Sequence, residues 1–148
     1  ECKPNFKKCP NNPPALIQLS TSDEAFIFRL YPIMKLGPLV KILEDPNIIK
    51  TGVAIKDDIN NLQHIEPFTA GGFVDLAQIA QSLKIEQTGL RNLTAIFFNQ
   101  RLSKSAQLSN WQKIPLSPSQ MNYAATDAWI SRELYIIMKD RLDLLDQT

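Results

Sequence analysis

The sequence predicts an α/β domain, a mixed sheet flanked by helices. Three observations carry this. Two short apolar runs near the start, divided by a polar turn, have the pattern of a β-hairpin. Strand-like and helix-like segments then alternate, which lays helices over a sheet. A long stretch with apolar residues at helical spacing closes the chain.

Residues 1–14 are polar and proline-rich and read as a loop. Ala15 to Leu19 reads as a buried strand, Ser20 to Glu24 as a turn, and Ala25 to Leu30 as the returning strand. A helix is expected over about Ile33 to Glu44, with Leu36, Leu39, Val40 and Leu43 inward and Asp45-Pro46-Asn47 ending it. Ile48 to Ile55 is expected as a third strand. Lys56-Asp57-Asp58 closes it and opens a helix through Leu62. Gly71-Gly72 reads as a turn and Phe73-Val74 as a short strand; Asp75 then caps a helix with Leu76, Ile79, Ala80 and Leu83 inward. Gly89-Leu90 starts another helix, through Phe97 or Phe98, and Asn99 to Pro115 is an irregular connection.

The last helix begins at Pro118. Ser117 can cap it, Pro118 suits its first position, and Gln120 can reach back as in a capping box. One buried face is expected to hold Met121, Ala124, Ala125, Ala128, Tyr135, Met138, Leu142 and Leu145. Tyr123, Asp127, Ile130, Leu134 and Ile137 form a second stripe beside it. No repeat, low-complexity tract or linker is visible, so residues 1–148 read as one domain.

Composition narrows the function classes. The chain is 44% hydrophobic and 21% charged, ordinary for a soluble globular protein. Its net charge of +1 gives no bulk attraction for nucleic acid, so any such binding needs a local patch. Arg91, Arg101, Lys104, Lys113 and Arg132 are either phosphate contacts or scattered surface charge. Trp111 either stacks a base or packs the irregular connection. No apolar run approaches transmembrane length and no signal peptide is seen. Cys2 and Cys9 are the two cysteines, and the expectation is a reduced, intracellular chain of the cytoplasm or nucleus. Oligomeric state is not legible.

Tyr123 and Asp127 are four apart, hence one above the other on a helix. A carboxylate on an apolar stripe is costly unless something positive meets it, and no Lys or Arg lies one turn away on that face. A bound metal ion would resolve the conflict. Asp58 sits where a strand gives way to a helix, the edge at which ligands gather in open α/β sheets. Glu1 stands at the start of the sequence. Hard cations such as Mg²⁺ take oxygen ligands, so carboxylates from separate elements suit divalent-metal phosphoryl chemistry. Two such ions about 4 Å apart clamp the attacking and leaving oxygens of an in-line displacement. Asp75 reads as a cap only, and His64, the sole histidine, as a surface residue.

With these residues in view a resemblance follows. Ser109-Asn110-Trp111-Gln112-Lys113-Ile114-Pro115-Leu116, then Gln120, Tyr123-Ala124-Ala125-Thr126-Asp127-Ala128 and Leu134-Tyr135, resembles the third motif of the DEDDy 3′–5′ exonucleases, of the Werner-syndrome exonuclease and ribonuclease D type. Lys50-Thr51-Gly52-Val53-Ala54-Ile55-Lys56-Asp57-Asp58 resembles the second motif. Pro14 to Ser20 and Gly89 to Leu93 fall in family order.

The resemblance implies a ribonuclease-H-like fold and a 3′–5′ exonuclease acting on DNA or RNA with two ions, Mg²⁺ or Mn²⁺. It implies Asp127 as a metal ligand, Tyr123 as the group that orients the attacking water, and Asp58 as the second-motif carboxylate, with Asp57 its rival. A phenol with a reference pKa of about 10 positions water rather than deprotonating it. Glu1 matches the glutamate of the first motif, Asp-x-Glu; the aspartate would lie two residues before the sequence given. The first strand, central in the family, is lacking. The chain is therefore expected to be incomplete at its N-terminus and crippled in two-metal catalysis. Each buried polar group left unsatisfied beside the gap costs about 1–3 kcal/mol. The alternative is a catalytically inactive module of the same fold that binds nucleic acid or protein. A phosphatase of small nucleotides is a third possibility.

Overall fold

A computed structural model describes residues 12–147. Glu1, Cys2 and Cys9 lie outside the described residues.

Strand β1, Leu16–Ser20, pairs antiparallel with β2, Ala25–Arg29, so that Leu16 faces Arg29 and Ser20 faces Ala25. Thr21 builds the turn between them. Its hydroxyl oxygen accepts from the backbone N–H of Asp23 at 3.3 Å and of Glu24 at 3.2 Å. The hairpin is the one the sequence predicts, shifted by a residue at β1.

The next helix, α1, spans Leu39–Glu44 rather than starting near Ile33. Met34 and Gly37 both take left-handed backbone angles, φ 52° and 55°, which no right-handed helix accommodates. Glu66 holds this turn from a distance, accepting from the N–H groups of Leu36 (2.9 Å) and Gly37 (3.1 Å). Leu36 is buried all the same. Its spacing from Leu39 and Leu43 was a core signal, not a helix signal.

Strand β3 is Lys50–Gly52, much shorter than the expected Ile48 to Ile55. Ile48 and Ile49 are exposed, and Ala54, left-handed at φ 55°, ends the extended run. Helix α2, Ile55–Ile65, follows at once. Strand β4, Phe73–Asp75, pairs parallel with β3, Lys50 facing Phe73 and Gly52 facing Asp75. Gly72 precedes it at φ 65°, where a Cβ would sit 2.5 Å from the Ile48 carbonyl oxygen. Helices α3, Leu76–Ser82, and α4, Leu90–Phe98, form as predicted. Antiparallel and parallel pairing are thus both present, but among the described residues the sheet is in two two-stranded pieces.

Helix α5, Pro118–Asp146, packs against β1, β2, β3, α3 and α4. Its start is the predicted capping box: the Ser117 hydroxyl oxygen accepts from Gln120 N–H at 3.2 Å, and the Gln120 side-chain oxygen accepts from Ser117 N–H at 3.0 Å. The buried face runs through Ala124, Ile130, Leu134 and Met138. Met121 and Leu145, expected inside, are exposed. Leu134 and Met138 close a core with Leu76, Ala80 and Leu93, each large side chain contributing about 1.5–3 kcal/mol. A second core under α1 holds Ile17, Leu30, Leu36, Leu39, Leu43, Leu62 and Phe68.

Candidate active site

The site begins where β3 ends. One oxygen of Asp75 accepts from Ala77 N–H at 2.9 Å, capping α3, and from Ala54 N–H at 3.1 Å. The same carboxylate therefore fixes the left-handed residue from which α2 departs. The first turn of α2 carries Asp57 and Asp58, where the helix dipole favours negative charge.

Asp58 and, from α5, Asp127 and Ser131 line one cavity of about 540 Å³, whose walls include Ile17 to Leu19 of β1 and Lys50 to Gly52 of β3. Tyr123 and Asp127 line a second cavity, of about 430 Å³, with Leu102, Ser103, Ser105, Ser119, Asn122 and Thr126. Asp127 belongs to both. Asp57 and Asp58 are both exposed, but of the two only Asp58 lines the cavity.

The carboxyl of Asp58 is held above the ordinary carboxylate range. Protein packed around the cavity mouth is the main cause, and the charges of Asp57 and Asp75 push the same way. Its side chain still meets solvent, so water softens this destabilisation. Lys50 is the one basic residue among those lining the larger cavity. It is buried, its ammonium donating to the Asp45 carbonyl oxygen at 2.6 Å and lying 5.2 Å from the centre of the Phe73 ring. Burial lowers its pKa, against the opposing charge of Asp45.

Asp58 and Asp127 supply oxygen donors of the kind a hard divalent cation takes. They fit part of a metal set. Among the described residues no group of three or more His, Cys, Asp or Glu side chains is gathered to complete one. Glu1, the third expected ligand, lies outside the described residues.

Trp111 does not present a face for a base. Its indole is fully buried among Ala15, Leu16, Ala106 and Ala124, with its ring centre 5.9 Å from that of Tyr123 and the planes 45° apart. Packing, the other expectation, is what the structure has. Arg91 is exposed on α4, and its Nε donates to the Leu102 carbonyl oxygen at 3.2 Å, tying down the start of the irregular connection. Lys104 is exposed between Ser103 and Ser105, two of the serines that line the smaller cavity. His64 is exposed, its Nδ1 donating to the Asn60 carbonyl oxygen at 2.6 Å. Sequence reasoning missed two clamps on the 109–113 segment. Gln120 Nε2 donates to Ser109 Oγ (3.0 Å) and to the Asn110 carbonyl oxygen (3.1 Å). The Arg29 guanidinium donates to the carbonyl oxygens of Gln112 (3.3 Å) and Lys113 (3.0 Å). The capping-box position of Gln120 was a visible signal; for Arg29 there was none.

A family model described as 3′–5′ exonuclease matches residues 5–143. Ribonuclease D of Gluconacetobacter diazotrophicus is 29% identical over 130 residues, 86% of this chain and 33% of that protein. The mouse bifunctional 3′–5′ exonuclease/ATP-dependent helicase WRN is 32% identical over 142 residues, 91% of this chain and 10% of that protein. The chain thus spans a third or less of either relative. Among solved structures, the exonuclease domain of Aedes aegypti Nibbler superposes with a TM-score of 0.82 at 25% identity, over 98% of this chain and 77% of that one. The resemblance to ribonuclease D and the Werner-type domain is borne out, and the chain belongs to the 3′–5′ exonuclease family.

Proposed function

We propose that this domain hydrolyses the terminal phosphodiester bond at the 3′ end of a DNA or RNA strand, releasing one nucleotide at a time, with two divalent ions, Mg²⁺ or Mn²⁺. The observation that carries this is the cavity lined jointly by Asp58 of α2 and Asp127 of α5. Asp58, Asp127 and Glu1 would hold the ions. When bound, such ions stabilise the charge that builds on the phosphate.

The chain's own residues then have separate tasks. The Tyr123 hydroxyl orients the attacking water by a hydrogen bond and stays protonated. Water oxygen bonds to phosphorus as the bond to the departing 3′ oxygen breaks; the attacking water gives up a proton to solvent, and the departing oxygen takes one from solvent. Lys104, beside the smaller cavity, meets strand phosphates as a screened charge. Among the described residues the sheet is split in two, which supports the further expectation of a central strand between β1 and β3.

The test is a DNA and an RNA oligonucleotide, each labelled at the 3′ or the 5′ end, with Asp127→Ala as control. Stepwise shortening of the 5′-labelled strand, with prompt release of the 3′ label as mononucleotide, supports the proposal. Binding without shortening at millimolar Mn²⁺ favours the inactive binding module. Activity on mononucleotides alone favours a phosphatase.

A further inference from the structure

We infer that Arg29, at the end of β2, is a positioning residue for Tyr123, acting through the backbone that carries Trp111. The inference rests on the water-orienting role proposed for Tyr123.

Trp111 lies in a connection without helix or strand from residue 99 to residue 117. Local turn bonds shape it, the N–H groups of Gln112 (3.1 Å) and Lys113 (3.2 Å) both donating to Asn110, and side chains from other elements tie it to the rest of the fold. On its N-terminal side Gln120, itself buried, holds Ser109 and Asn110 against the start of α5. On its C-terminal side Arg29 holds Gln112 and Lys113 against the hairpin, across more than eighty residues of sequence. The indole N–H is buried and finds no acceptor among the described residues. Among the described residues no hydrogen bond of its own orients the ring; packing against Ala15, Leu16, Ala106, Ala124 and Tyr123, and the two clamps on its backbone, do.

The fork of Arg29 suits this task. A planar guanidinium can engage two successive carbonyl oxygens at once in a fixed geometry, whereas a lysine offers a single flexible point of contact. Releasing Gln112 and Lys113 lets the 111–113 backbone shift, the indole with it, and the Tyr123 ring that leans on the indole. The phenol oxygen is at the far end of that ring and is displaced most. Arg29 lines neither cavity at the site, so it touches no reacting atom.

Two readouts test this on the full chain. The first is turnover of a 3′-labelled oligonucleotide by Arg29→Ala and Arg29→Lys, each made in the wild type and in Tyr123→Phe. Small misplacement of a reacting group costs up to about a hundredfold. The expected result is a fall in kcat of about tenfold for Arg29→Ala with KM within about twofold, a smaller fall for Arg29→Lys, and no further fall in Tyr123→Phe. An equal fall in both backgrounds, or none, overturns the inference, because a merely structural loss is indifferent to the hydroxyl. Full activity of Tyr123→Phe instead overturns the role of Tyr123 on which the inference rests.

The second readout needs no turnover. In Trp129→Phe, Trp111 is the only tryptophan left, and Arg29→Ala should shift its emission to the red. Unchanged emission overturns the latch itself.

Discussion

The carboxylate of Asp75 accepts the backbone N–H of Ala54 at 3.1 Å while capping α3 through Ala77 at 2.9 Å. Asp75→Ala removes a cap and leaves the left-handed Ala54 without that acceptor. The expected cost is about 1–3 kcal/mol in urea unfolding. Asp75→Asn, which keeps an acceptor oxygen, should recover most of it. Because Ala54 begins the helix that carries Asp58, Asp75→Ala should also lower nuclease turnover at temperatures where the variant is still folded.

The two sides of α5 should respond differently to truncation. Leu134 is fully buried with Leu76, Leu93 and Met138, so Leu134→Ala is expected to cost about 2–5 kcal/mol. Trp129 is 43% exposed on the same helix, and its replacement by alanine should cost far less. Thermal melts of the two variants check this; comparable losses would mean that the buried face has been misassigned.

Much of this fold was legible because its signals are local. The Ser117-Pro118 helix start, the Asp75 cap and the two short apolar runs of the hairpin each need only a few neighbours to be read. The start of α1 was not legible, since the turn at Leu36 and left-handed Gly37 is held by distant Glu66. The same limit hid the Arg29 clamp. Asp58 and Asp127 were readable as candidates through motif and helical spacing. Their sharing of one cavity is a tertiary fact, as is the full burial of Trp111.

The pKa of Asp58 gives a pH prediction for the metal-free chain. Its folded value is raised, mainly by burial, so the folded state holds that proton more tightly than the unfolded state. The destabilisation is absent below the ordinary carboxylate range and complete above the raised folded value. Asp58→Asn should therefore be more stable than wild type at about pH 7, with the difference closing toward about pH 3. Urea midpoints at the two pH values check the sign. A site that trades stability for function behaves in this way.

If a central strand with the first-motif aspartate belongs between β1 and β3, a chain extended upstream to include it should exceed the present one in magnesium-dependent nuclease activity. Steady-state rates on one oligonucleotide compare the two directly. Equal rates would remove that strand from the mechanism.

Crystals of the chain soaked in millimolar Mn²⁺ and measured at the manganese edge address the shared cation site directly. The carboxylates of Asp58 and Asp127 should flank anomalous density in the cavity they line, and the density should be lost in Asp127→Ala. A cavity free of density, or density that survives that substitution, would contradict metal-dependent nuclease chemistry at this site.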